Sequence, residues 1–310
     1  MSKNTESKQE LYEKRGYLLS DFRLFHLSDA QGTNVNYHYH EFHKLVFLRS
    51  GTGDYSVEGQ KYTLLAGDIV LVGSRQVHRP EFEKGMPYER IILYISPEFL
   101  KGNSVDGCEL GEIFDRGLGD NFGQESAHVL RAGERERQRL FSLVEKLEKE
   151  LSEEVYGKEI ACKGLLLRLL VEIGRGLQGV EKELNEKKSL KNPLKNNPQQ
   201  IRIRDMMRYL NIHLNDEISM DALAKLFFVS KYHMMRQFKE ETGQSVYEYL
   251  TERRLLHARD LIRQGGSATE SCFNSGFRSY SSFTRAYAKR FGTTPTGRTG
   301  RSMQREETFE

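Results

Sequence analysis

The sequence predicts an α+β, multidomain chain with an N-terminal β-barrel, a helical connector and an all-α C-terminal domain. Three observations predict it. Short apolar segments recur every 8–12 residues over 17–96, a helical apolar period takes over from about 131, and the last hundred residues repeat themselves at an offset of 49. A chain of 310 residues exceeds what one hydrophobic core usually holds, so more than one domain is expected. These patterns divide it into an arm (1–16), a barrel (17–100), a connector offered for dimerisation (101–180), a linker (181–200), a helical domain (201–298) and a tail (299–310).

The β region rests on Lys44 to Arg49, Tyr62 to Leu65 and Ile69 to Val72, separated by glycine turns at Gly51, Gly53, Gly59 and Gly67. That rhythm suits an antiparallel sandwich or barrel. In the connector, Leu140, Val144, Leu147, Leu151 and Val155 step by four, three, four and four. Such a stripe on a charged helix is expected to meet its copy in a homodimer, the alternative being that it packs on its own barrel. A second, leucine-dense helix runs from Lys158 to about Gly176. Residues 182–200, rich in Lys and Asn with two prolines, form the linker.

Composition narrows the function classes. A hydrophobic fraction of 37% with 17 Phe and 15 Tyr supports real cores. Three scattered cysteines form no CxxC pair, which argues against a disulfide framework or zinc knuckle. The polar N-terminus and the lack of any long apolar run point to a soluble, cytoplasmic chain without membrane contact. The net charge is only +3, yet residues 201–300 carry 16 Lys/Arg against 10 Asp/Glu. Residues 271–300 hold five bases and no acid. A polyanion partner for that end is one reading and a solvated basic face the other.

In the repeat, Phe228 aligns with Phe277, Ser230 with Ser279, Arg236 with Arg285, Phe238 with Tyr287 and Gly243 with Gly292. Each copy reads as a short helix (220–227; 268–275), a tight turn, a capping serine, and a basic aromatic helix stopped by glycine. Short helix, turn, basic helix is the layout of a helix-turn-helix. A rod from about Val246 to Arg263, with capping-box signals at Ser245 and Ser267, joins the copies. At ~1.5 Å per residue it spans roughly 27 Å, which suits two reading helices near one DNA turn apart.

The stretch from Ile218 to Ile262, then Ser275 to Pro295, resembles the arabinose-regulator (AraC) family of transcription factors. Ala224, Ser230, Phe238, Gly243, Arg254, Ala258, Gly276, Phe277, Phe283, Gly292 and Pro295 fall in its order and spacing over about residues 203–296. The resemblance implies a sequence-specific DNA-binding regulator, commonly an activator, that contacts RNA polymerase. Carried over by position, it nominates Tyr232, Met235 and Arg236, then Tyr280, Ser281, Thr284 and Arg285, as base readers. Arginine pairs bidentately with guanine, and apolar atoms meet the thymine methyl. Lys231, Lys239, Lys289 and Arg290 are nominated for phosphates, which position without specifying. Two departures stand out: Ser271, Cys272, Asn274 and Ser275 occupy a helix usually more apolar, and the segment after Pro295 lacks the usual aromatic–arginine ending. A second unit less stable on its own is expected.

Tyr37 to His40, with Gly51, Gly67-Asp68 and Val77 to Pro80, resembles the cupin barrel that precedes this domain in many family members. Metal-dependent cupins use two His in an HxH, a Glu and a third His. Here His38, His40 and His78 match the imidazoles, but Lys44 aligns with the glutamate, and a protonated lysine cannot ligate. His43 lies an odd number of residues from His40 and is expected on the opposite strand face. The three histidines are therefore expected to line a pocket for a small polar effector, sugar-like, with no metal, cofactor or catalytic residue. A metal-dependent cupin enzyme and a ligand-independent DNA binder remain the alternatives.

Overall fold

The computed structural model describes residues 18, 20–30, 33–115, 128–189 and 203–297. The predicted arm and tail, and most of the predicted linker, lie outside them. The chain divides into two compact units, 1–198 and 199–310.

In the first unit, β1 (Phe22–Asp29), β3 (His43–Ser50), β6 (Ile69–Val72), β8 (Tyr88–Ile95) and β9 (Val129–Leu130) form one antiparallel sheet in the order β1-β8-β3-β6-β9. A second sheet has the order β2-β7-β4-β5, from β2 (Thr33–Asn34), β4 (Gly53–Val57), β5 (Gln60–Leu64) and β7 (His78–Phe82). The strands make two facing sheets and not the single closed barrel expected, because no ladder joins one sheet's edge to the other's among the described residues. The central strand β3 is buried on both faces. Val46 and Leu48 meet Tyr55, Val57, Tyr62 and Leu64 of the second sheet, while Leu45 and Phe47 face outward from it.

That outer face is covered by two helices. After α1 (Pro97–Asn103) and α2 (Glu112–Asp115) come α3 (Glu134–Ser152) and α4 (Lys158–Ser189). Leu140, Val144 and Leu147 are fully buried in one cluster with Leu45, Phe47, Ile91, Leu93 and, from α4, Leu166, Leu169 and Leu170. The α3 stripe therefore belongs to the core of its own unit and not to a seam between copies. A sheet face of this apolar width needs cover, and each such side chain contributes roughly 1.5–3 kcal/mol on burial. Leu151 packs half-buried at the rim, and Val155 lies exposed beyond the helix end. Glu172, buried on α4, pairs with Arg139 of α3 at 3.3 Å and with Arg168 and Arg175 of its own helix. The second helix continues to Ser189, past the expected end and into the segment read as linker.

The second unit holds α5 (Ile203–Ile212), α6 (Met220–Leu226), α7 (Lys231–Thr242), α8 (Val246–Arg263), α9 (Ala268–Asn274) and α10 (Tyr280–Phe291). No helix among the described residues is long and apolar enough to cross a membrane.

Candidate functional site

Each step of the helical repeat has a local cause. Ser219, Ser230, Ser245, Ser267 and Ser279 all accept a backbone N–H at a helix start, and Ser245 and Ser267 close full capping boxes. Gly243 and Gly292 end α7 and α10 in the left-handed conformation, φ 76° and 72°.

The turns correct the alignment of the two copies. Phe228 N–H donates to Lys225 O and Val229 N–H to Ala224 O; Gly276 N–H donates to Phe273 O and Phe277 N–H to Cys272 O. Phe228 thus corresponds to Gly276, and Val229 to Phe277, one position away from the match read in the sequence. The second turn carries one extra residue, Arg278, before its capping serine. Both matching positions are left-handed, with φ 56° at Phe228 and 89° at Gly276. At Gly276 glycine is required twice over, since a Cβ there would lie 2.2 Å from Leu214 O and 2.8 Å from Arg254 Nε. Arg254 in turn donates to Leu214 O and Asp216 O at 2.7 Å each, fastening α8 to the loop after α5.

Phe238 and Met234 turn inward on α7, as Phe283 and Tyr287 do on α10, so the opposite faces are left to solvent. Lys231, Tyr232, Arg236 and Lys239 are exposed on α7, with Met235 half-buried beside them. On α10, Tyr280, Ser281, Arg285 and Lys289 are exposed and Thr284 is half-buried, its hydroxyl donating to Tyr280 O. Two residues outside the expected set share these surfaces, His233 and Arg278. The one-residue insertion that places Arg278 at the turn was the signal for it. Arg236 lies 3.7 Å from Glu240 and Arg285 Nε donates to Ser281 O at 3.4 Å, and two of the bases nominated for phosphates are also engaged within the unit. Arg290 Nε donates to Glu252 at 2.6 Å and its guanidinium lies over Phe291, while Lys231 pairs with Asp221 at 2.9 Å. Ser271, Cys272 and Ser275 are buried, and the Ser275 hydroxyl donates to Cys272 O. Small residues there let α9 lie close under α8, forming a core with Leu255, Ala258, Phe283 and Tyr287.

In the first unit, His38 and His78 pair through their backbones, which brings the loop before β3 onto β7. The rings of His38, His40 and His78 lie 4.3–5.1 Å apart, and one nitrogen of each falls within 4.8 Å of the others. His38 and His40 are half-buried at the rim and His78 fully buried. Burial holds all three neutral: the pKa of His38 falls, that of His40 drops to about 2 and that of His78 falls well below the usual value, with the Lys44 charge adding to each shift. His43 faces the other way, against Phe114 at 4.4 Å and accepting from Ser74 N–H. Three imidazoles are a donor set suited to a divalent ion. At the fourth position, however, Lys44 puts a buried ammonium whose charge reaches all three rings.

Comparison with known proteins agrees with this division. A family model described as an AraC-like ligand binding domain matches residues 24–170, and one described as a helix-turn-helix domain matches residues 223–298. The HTH-type transcriptional activator RhaS of Escherichia coli O139:H28 is 28% identical over 262 residues, 83% of this chain and 85% of that protein. RhaS of Shigella sonnei matches with the same figures. Among solved structures, ToxT from Vibrio cholerae aligns over 89% of this chain and 97% of its own, at 14% identity and a TM-score of 0.34. With a ligand-binding domain followed by a DNA-binding domain of two helix-turn-helix units, the chain belongs to the AraC family of ligand-controlled transcription regulators.

Proposed function

We propose that the chain activates transcription in the cytoplasm as a homodimer, reading double-stranded DNA with both helix-turn-helix units and contacting RNA polymerase. The observation that carries this reading is the paired presentation of Arg236 and Arg285 on the exposed faces of α7 and α10. An exposed tyrosine precedes each, Tyr232 one turn before Arg236 and Tyr280 at the first residue of α10. Arginine for guanine and flat apolar atoms for thymine methyls are the chemistry of major-groove reading. Tyr232, Met235, Arg236, Tyr280, Ser281, Thr284 and Arg285 read bases; Lys231, Lys239 and Lys289 hold phosphates. Activation is supported by the activators to which the chain is similar.

The effector is a small polar molecule, sugar-like, bound at His38, His40 and His78. The dimer forms along the outer face of α4, where Ile160 is 80% exposed and Leu167 and Val171 are half-buried. The rival reading, a metal-dependent enzyme, is disfavoured by Lys44 beside the imidazoles. Footprinting upstream of the gene's own operon and its neighbours, with and without Arg236→Ala and Arg285→Ala, tests the DNA reading. Protection of two adjacent major-groove segments, each lost with its own arginine, is expected. Protection unaffected by both changes would refute it.

A further inference from the structure

The interior between the two sheets holds a cation with which no carboxylate pairs among the described residues. Lys44 shares the inner face of β3 with Val46 and Leu48 and lies opposite Tyr94 and Val72 in register. It is 7% exposed. Its Nζ sits 5.9 Å from the Tyr55 ring and 6.0 Å from the Tyr94 ring, and no carboxylate pairs with it among the described residues. Aromatic faces compensate an ammonium only partly, and an isolated buried charge is costly. Burial and the nearby Arg90 charge bring the pKa of Lys44 down to about 8, so it remains mostly charged at neutral pH.

Beside this cation are hydrogen-bonding atoms with defined roles. His78 Nδ1 lies 3.0 Å from Gln76 O and His38 Nδ1 2.8 Å from Asn36 O. Each neutral ring donates from Nδ1 to a carbonyl, which leaves Nε2 as a lone-pair acceptor. His78 Nε2, His40 Nδ1 and the Tyr55 hydroxyl are buried without a partner among the described residues. Tyr55 stacks parallel to His78 at 6.0 Å, and His40 lies 6.0 Å from Tyr94, the two tyrosines nearest the Lys44 ammonium, so these groups cluster around it. A cation asks for an anion, and imidazole lone pairs ask for hydroxyl donors. A neutral sugar meets only the second demand. A divalent ion meets only the imidazoles and is repelled by Lys44.

We propose that the effector is a hydroxylated carboxylate of sugar-acid type, its carboxylate paired with Lys44 and its hydroxyls donating to His78 and His38. This rests on the reading of the first unit as the sensor and names the ligand class that sensor takes.

The test uses the full-length protein and matched probes: glucose, galactose and mannose against gluconate, glucuronate and galacturonate. Thermal shift and calorimetry would be run on wild type and Lys44→Met. At least one acid should bind wild type while its neutral parent does not, and Lys44→Met should weaken that binding by about tenfold or more. Unliganded Lys44→Met should melt above wild type, because an unpaired buried charge has been removed; a lower melting temperature would mean the ammonium is already satisfied and would overturn the proposal. Neutral sugars binding as well as acids, or no probe binding, would overturn it too, as would a divalent ion whose stabilising effect is lost in His78→Gln. If an acid binds through Lys44 but leaves promoter output unchanged in a reporter strain, the sensor reading fails while the ligand assignment stands.

Discussion

At Phe228 a bulky side chain, 94% exposed, sits on a left-handed backbone that its counterpart Gly276 adopts without strain. Phe228→Gly should therefore stabilise the second unit by about 0.5–1 kcal/mol, read as a higher melting temperature. Gly276→Ala should do the reverse, by roughly 2–3 kcal/mol, since the new Cβ would press on Leu214 O, a backbone atom that cannot swing aside. A neutral Gly276→Ala would show that the loop after α5 yields. On the reading faces, Arg236→Ala and Arg285→Ala should each cost about 1–3 kcal/mol at the cognate site and relax one base position. Loss with one and none with the other would leave a single reading unit.

At the scale of elements, α3 is a lid on a sheet and α4 offers the free face. Leu147→Asp places a charge at a fully buried position against Leu45 and Phe47, and the first unit should lose more than about 3 kcal/mol. Ile160→Asp changes an 80% exposed residue, so it should leave melting unchanged and shift sedimentation from dimer to monomer. Dimers retained in Ile160→Asp would move the interface off α4. The same unit carries an acid liability. Burial lowers the pKa of His43 to about 4 and that of His40 to about 2, and lowers that of His78 well below its usual value. Unfolded histidines bind protons below about 6.5 and these do not, so their contribution is present above that pH and lost as pH falls towards 4. The slope is at most about 1.4 kcal/mol per pH unit for each histidine. His26 has the opposite sign: despite desolvation, its pKa is raised by Glu89 and Glu148, and its contribution is lost as pH rises. With His38 lowered as well, four histidines stand against one, and the first unit should melt earlier at pH 5 than at pH 7. A pH-independent transition would mean those rings are hydrated.

Across the whole molecule, the bases free for phosphates decide the salt dependence. Each phosphate contact adds about −0.9 to the log–log slope of affinity against salt. Lys239→Ala and Lys289→Ala should each flatten that slope by about one contact and weaken all sequences alike. Arg290→Ala should instead lower the melting temperature, because its guanidinium joins α10 to Glu252 of α8. A slope change with Arg290→Ala and no loss of stability would return that residue to the DNA surface.

Much of this was legible in the residues. Serine caps, terminal glycines and the 3.6-residue rhythm are local rules, so the helices from α6 to α10 and their two copies followed from sequence alone, while α5 was not read there. What only the tertiary structure decided depends on distant partners. A stripe such as Leu140, Val144 and Leu147 looks the same whether a sheet or a second chain covers it, because amphipathicity records that a face is buried and not by what. The repeat slipped by one at the turn because Phe228 and Phe277 are alike as letters, whereas backbone φ and hydrogen bonds, not side-chain identity, set the correspondence. That Arg290, nominated for phosphate, also pairs with Glu252 far along the chain could be seen only in the fold. Lys44 likewise was one missing metal ligand in the sequence, and became an unpaired charge only once the folded sandwich buried it with no carboxylate paired to it among the described residues.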